Sequence, residues 1–185
     1  MLLRIRLAVP ALLLVLLAGC GDDLSGKATT PDGYVTYKGD GVRIAYPEGW
    51  KVDKAKSPDG GARVEITPSD RAKTPYGLIL LSSSPDAEQR FENQVRDRRT
   101  VIETVTDGKI ESDEEVDVPG TKDARRLTAT VPAKEGSDPA EVKSDSLDLL
   151  REGGDTLTVV VAAPQRKGDD DLDPKAVVDS LRLSG

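Results

Sequence analysis

Apolar and polar residues alternate over two short stretches, Tyr34 to Lys38 and Val42 to Tyr46, and the Gly39-Asp40-Gly41 turn between them predicts a hairpin whose first strand lies at an edge. Pro47-Glu48-Gly49 predicts a second turn that returns Trp50 and Val52 toward the core. Ala62 to Thr67 reads as a strand after the Ser57-Pro58-Asp59-Gly60-Gly61 turn. Tyr76 to Ser83, with Leu78, Ile79, Leu80 and Leu81 unbroken, reads as a central strand. Strand character recurs over Lys109 to Val118, Ala124 to Val131, Val142 to Arg151 and Thr156 to Ala163, and Gly153-Gly154 supplies the positive backbone angle of a tight turn between the last two.

Two segments carry helical signals instead. Ser84-Pro85-Asp86 combines a side-chain cap, a proline for the first helical position and an acid for the first turn. Ala87, Phe91, Val95 and Ile102 then draw one apolar stripe to about Glu103, with Arg90, Glu92, Asp97, Arg98 and Arg99 on the wet side. The β-branched run from Thr100 to Thr106 weakens the end of that helix. Near the C-terminus Asp173 caps a helix with Pro174 at its first position and Val177, Val178 and Leu181 on its buried edge. Hairpin-joined strands with one helix in the middle and one at the end predict an α+β domain over residues 34–185, an antiparallel β-sheet flanked by helices. A parallel doubly wound sheet would need a helix after nearly every strand.

The first 33 residues follow different rules. Arg4 and Arg6 precede an apolar run from Leu7 that closes on Leu17-Ala18-Gly19-Cys20, the three-part layout of an export signal over residues 1–19. Its twelve residues from Leu7 to Ala18 fall short of the roughly 20 a helix needs to cross a bilayer. Leu17-Ala18-Gly19-Cys20 resembles the bacterial lipobox, in which cleavage falls between Gly19 and Cys20 and the Cys20 thiol takes a diacylglyceryl group. Two or three fatty chains, palmitate among them, make a stable anchor where one does not, which predicts a lipid-anchored protein on the extracytoplasmic face of the cell membrane. The alternative is a plain secreted protein cut after Ala18 or Gly19, with Cys20 an odd thiol. Residues 20–33, polar and turn-rich, predict a lipidated flexible tether whose thirteen residues after Cys20 reach about 20 Å on average.

Charge and composition narrow the partners. The chain carries a net charge of -7, and loss of Arg4 and Arg6 leaves 24 basic against 33 acidic side chains, a net of -9. Such a body repels phosphates, so nucleic acid is excluded as a partner and membrane contact must come through lipid on Cys20. Histidine is absent and Cys20 is the only cysteine, which excludes Ser-His-Asp and Cys-His nucleophiles, histidine-based metal sites and internal disulfides. Enzymatic chemistry is left only with paired carboxylates, Lys bases or Ser-Lys dyads. No cofactor motif or metal-ligand spacing occurs, and the six aromatics, Tyr34, Tyr37, Tyr46, Trp50, Tyr76 and Phe91, are few for a stacking platform.

The stretch Gly41 to Val52, with Tyr46-Pro47-Glu48-Gly49-Trp50 at its centre, and the closing Ala176 to Leu183 resemble the PsbP/Mog1-like superfamily, above all its small actinobacterial lipoproteins. The resemblance implies an antiparallel sheet sandwiched by helices over Tyr34 to Ser184, and non-catalytic protein binding as the shared thread. It fits a non-enzymatic binding or accessory module of the cell envelope with an envelope-protein partner, and leaves a carrier of a small ligand or lipid as the alternative. An apolar cavity between sheet and helices would favour the carrier; two acids converging in a deep cleft would favour an enzyme.

Several residues invite a sharper reading and are outweighed by a plainer one. Trp50 reads as a packing residue before a stacking one, as do Tyr46 and Phe91. Asp169-Asp170-Asp171 with Asp173 lacks the spaced ligands and terminal Glu of a calcium loop and reads as acids before a helix. Ser112-Asp113-Glu114-Glu115 reads as a solvated strand edge. Arg90, Arg96, Arg98 and Arg99 could receive an acidic partner, but Glu88, Glu92, Asp97 and Glu103 among them point to a mixed helix surface.

Overall fold

A computed structural model describes residues 30–70, 77–85, 87–133, 141–165 and 172–184. Gly19, Cys20 and the rest of residues 1–29 lie outside the described residues, as do Tyr76, Asp86 and Asp169 to Asp171. Seven strands form the main sheet: β3 (Lys51–Lys56), β4 (Ala62–Thr67), β5 (Leu78–Ser84), β6 (Lys109–Glu115), β7 (Thr121–Pro132), β8 (Glu141–Arg151) and β9 (Thr156–Pro164). Their spatial order is β3-β4-β5-β9-β8-β7-β6 and every pairing is antiparallel. A smaller antiparallel sheet joins β1 (Tyr34–Gly39), β2 (Val42–Pro47) and β10 (Arg182–Leu183) in the order β1-β2-β10. Two α-helices are described, α1 (Phe91–Thr100) and α2 (Pro174–Asp179).

The β1-β2 hairpin forms as its turn predicts. Gly39 pairs with Val42, leaving Asp40 and Gly41 as a two-residue loop with φ of 53° and 75°, the double positive angle that such a loop needs to match strand twist. The Tyr37 hydroxyl donates to Asp40 Oδ2 at 2.5 Å and holds the turn from the side. Ahead of it the backbone is bonded to the same hairpin: Tyr34 N donates to Pro31 O at 3.1 Å and Glu48 N to Gly33 O at 2.9 Å.

In the main sheet, direct pairing sets Val64, Leu81, Val159 and Leu147 in one row across four strands. With Ile66, Ile79, Val161, Leu157 and Leu149 they form a buried apolar face. Val42 and Ile44 of β2 and Val177, Val178 and Leu181 at α2 pack on that face and complete the core. Each such side chain removed from water contributes about 1.5–3 kcal/mol. α2 starts as the sequence predicts, with the Asp173 carboxylate accepting from Lys175 N at 3.0 Å and Pro174 in the first turn. The opposite face of the sheet receives α1, whose Phe91 and Val95 pack on Leu150.

Several expectations change. The α1 segment does not start at Ser84-Pro85-Asp86: Ser84 ends β5 and its hydroxyl bonds Asp59, and a 3-10 turn, Glu88–Arg90, leads into a helix that begins at Phe91. The cap chemistry was spent on a loop contact instead. Arg98 leaves the wet side and turns down to the Asp148 carboxylate on the sheet. β3 and β10 had no signal of their own, β3 because Val52 is its one large apolar residue and β10 because it is two residues long. Trp50 is half-buried and packs on the margin of the core rather than at its centre. β6 stops at Glu115, and Val118 is buried in the turn that follows.

Leu147 sits at the middle of the buried face with no exposure. Leu147→Ala is expected to lower unfolding free energy by about 2–5 kcal/mol, seen in urea titration as an earlier midpoint at unchanged slope.

Candidate binding groove

Helical spacing brings more than the apolar stripe of α1 to the sheet. Gln94 and Arg98 stand three and seven residues after Phe91, so they share its face and point down beside it. Below them Asp148 of β8 and Thr158 of β9 are direct cross-strand partners on the α1 side of the sheet. Arg98 grips Asp148 with two parallel bonds, Nε to Oδ2 at 2.6 Å and Nη2 to Oδ1 at 2.8 Å. Thr158 Oγ1 donates to Asp148 Oδ1 at 2.6 Å and accepts from Gln94 Nε2 at 2.7 Å, while Gln94 Oε1 accepts from Thr156 at 3.2 Å. The Asp148 side chain is only 3% exposed, so this fork is a charge-assisted bond largely out of water and it fixes where α1 sits.

Past Arg98 the helix changes pitch. Thr100, Thr104 and Thr106 each turn a hydroxyl back to a carbonyl four residues earlier, at 3.1, 2.6 and 2.7 Å, a competition known to bend helices. Val101–Val105 becomes a π-helical turn, and Asp107 just beyond it takes a left-handed φ of 51°. A groove of about 440 Å³ opens between this turn and the sheet. Val101 and Ile102 form one wall, Ser144, Ser146 and Val160 the floor, and Val131 the far side, with Asp97 and Arg98 at its polar end. Val101 at 49% and Val105 at 72% are the exposed large hydrophobic residues among those described, and both belong to the π turn.

A second charged cluster lies on the other face of the sheet. Arg126 of β7 donates to both oxygens of Asp145 on β8, at 3.1 and 2.5 Å, and to Asp179 of α2 at 2.8 Å. Lys175 Nζ reaches the other oxygen of Asp179 at 2.7 Å. Burial pushes the Asp145 carboxyl above the ordinary carboxylate range despite the pull of Arg126. Burial alone would lower the Arg126 guanidinium, yet the bonds and charges of Asp145 and Asp179 together hold it above its usual value. This arrangement ties α2 to the sheet.

The residues singled out by sequence fare differently. The arginine group does not form a patch, because Arg98 is committed to Asp148, Arg99 bonds Asp113 at 2.5 Å and Arg96 bonds Asn93 at 2.7 Å. Ser112 to Glu115 do lie on an edge strand, β6, but Asp113 is 11% exposed and ion-paired rather than solvated. Tyr46 is half-buried against the core and Phe91 is buried under α1, both as packing residues. Asp173 caps α2, and among the described residues no three His, Cys, Asp or Glu side chains gather as a metal site. Sequence reasoning missed Asp145 and Asp148 altogether. Their signal was Ser144, Asp145, Ser146 and Asp148 breaking the apolar alternation of a strand otherwise fit for the sheet's middle.

No family model matches the chain, and no curated protein matches it. Among solved structures, the crystal structure of a Pseudomonas aeruginosa protein of unknown function matches at a TM-score of 0.40 and 14% identity, over 71% of this chain and 83% of that one.

Removing Arg126 leaves Asp145 buried and unpaired, so Arg126→Met is expected to cost about 3–5 kcal/mol at pH 7. A buried carboxyl with a raised pKa binds its proton in the folded chain at a pH where the unfolded chain has lost it, so stability of the variant falls as pH rises. The cost should therefore be smaller at pH 5 than at pH 7 in urea titrations, and Arg126→Met with Asp145→Leu should recover most of it. A larger cost at pH 5 would contradict this account.

Proposed function

We propose that the chain is an extracytoplasmic lipoprotein, cut before Cys20 and held on the cell membrane by lipid on that cysteine, whose folded part is a non-enzymatic binding module of the cell envelope. The groove beside α1 carries the binding reading. It sets apolar walls, Val101, Ile102, Val131 and Val160, on an acidic body that otherwise keeps its large hydrophobic side chains covered among the described residues. The non-enzymatic reading is supported by Arg98 and Asp148 being spent on each other, in a chain without histidine. A PsbP/Mog1-like α+β sandwich is supported by the Tyr46-Pro47-Glu48-Gly49-Trp50 turn at the end of a hairpin and by a closing helix, α2, packed on an antiparallel sheet.

A small-ligand carrier is the second reading, and the size of the groove favours it. About 440 Å³ falls in the range of roughly 300–1,000 Å³ typical of small-molecule sites.

Two experiments test the proposal. Cys20→Ala should leave the membrane fraction on a high-salt wash, while the native N-terminal peptide should show a diacylglyceryl mass; retention of the variant in the membrane would refute the anchor. A photoreactive residue in place of the exposed Val105 should give one reproducible adduct, protein or lipid, in intact membranes. No adduct would refute binding at this face.

A further inference from the structure

We infer that the groove beside α1 takes a neutral, largely hydrocarbon molecule bearing one hydrogen-bonding oxygen, and that the Ser144 hydroxyl is the group that meets this oxygen. The inference rests on the carrier reading and gives it a ligand class. Ser144 lies on β8, its direct partners Ala129 and Ala162 place it on the α1 side of the sheet, and it lines the groove. Ser144 is 9% exposed, and its hydroxyl has no hydrogen-bond partner among the described residues. Its neighbours on the same face are satisfied: Ser146 donates to Leu127 O at 3.1 Å and Thr158 to Asp148 at 2.6 Å. The sealed, unsatisfied side-chain atoms among the described residues are Asp113 Oδ1 and Arg151 Nε, so the Ser144 oxygen instead opens on the groove, where an entering ligand can bond it.

Charge then selects the ligand's head. The cation of the groove, Arg98, is held by two bonds to Asp148 and a third from Nη2 to Thr158 Oγ1 at 3.1 Å, which leaves the Asp97 carboxylate at the rim uncompensated there. An anionic head would meet a net negative site on a negative body, while a cationic one would find only an exposed, solvent-screened acid. A neutral head suffers neither loss. The wall itself also departs from regular structure, in the π turn and the left-handed Asp107, and such departures gather where backbone shape serves a site.

The test uses membranes holding the intact lipoprotein and a diazirine-bearing dodecanol as probe. Irradiation should label peptides containing Val101, Ile102 and Ser144, in a saturable way, and unlabelled 1-dodecanol should compete. Dodecanoate, dodecyltrimethylammonium and dodecane should each compete at least about tenfold less well, the charged pair for lack of a neutral head and the alkane for lack of an oxygen. Ser144→Ala should erase the advantage of dodecanol over dodecane, and Val101→Asp, at an exposed position that spares the core, should reduce labelling about tenfold. Unsaturable labelling, labelling elsewhere, equal competition by dodecanoate, or an unchanged preference in Ser144→Ala would each overturn the inference. An adduct at the Val105 position would in that case persist, and its loss as well would sink the binding reading itself.

Discussion

The pairing of β8 with β9, with Leu147 opposite Val159 and Asp148 opposite Thr158, decides which side of the sheet every central residue faces. Shifted by one residue, it would turn Leu147 and Leu149 to the α1 side and sink Asp148 into the apolar core. The register is held on one side by the unbroken row of aliphatic residues that α2 and the small sheet cover, and on the other by the hydrogen-bonded fork under α1. The two faces have opposite chemistry, and each makes the other's placement costly to change.

Both helices are located by an arginine–aspartate contact from the same strand. Asp145 and Asp148 are three residues apart on β8, an odd spacing, so they face opposite ways: one to Arg126 and through it to α2, the other to Arg98 of α1. Replacing such pairs with well-packed apolar residues often leaves stability unchanged or raises it, so their worth here lies in direction rather than in net energy. A purely apolar α1 could slide along the sheet at little cost. Arg98 cannot move without leaving the Asp148 carboxylate, 3% exposed, unpaired.

The main strands were legible in the sequence because alternation and turn residues agree there, as at Ala62–Thr67 between Gly61 and Pro68. The Asp40-Gly41 turn and the Asp173-Pro174 helix start were legible for the same reason, each a local rule that nothing distant overrides. Ser84-Pro85-Asp86 failed because the same capping chemistry served a contact to Asp59, twenty-five residues earlier in the chain. The groove was hidden in a subtler way. Arg98 reads as a surface charge until Asp148 is seen beneath it, and Ser144 reads as an ordinary strand serine until the helix above it is seen to stop short. Both depend on contacts fifty or so residues apart, which periodicity does not encode.

That the helix stops short follows from simple dimensions. Seven strands at about 4.8 Å spacing make a sheet face close to 29 Å wide, whereas a single helix covers a strip of about 10 Å. The other face meets this width with two structures, the β1-β2-β10 sheet and α2. The α1 face has one ten-residue helix, about 15 Å long, which packs at Leu150 and then unwinds into the π turn. Leu80 and Val160, paired in the middle of that face, are left half-buried as a result. A chain selected only for stability would fill such a strip with apolar side chains and cover it. Here the strip sets Ser144 and Ser146 between Val131 and Val160 under a bent helix end, a mixed surface that suits the floor of an open groove better than a packed core.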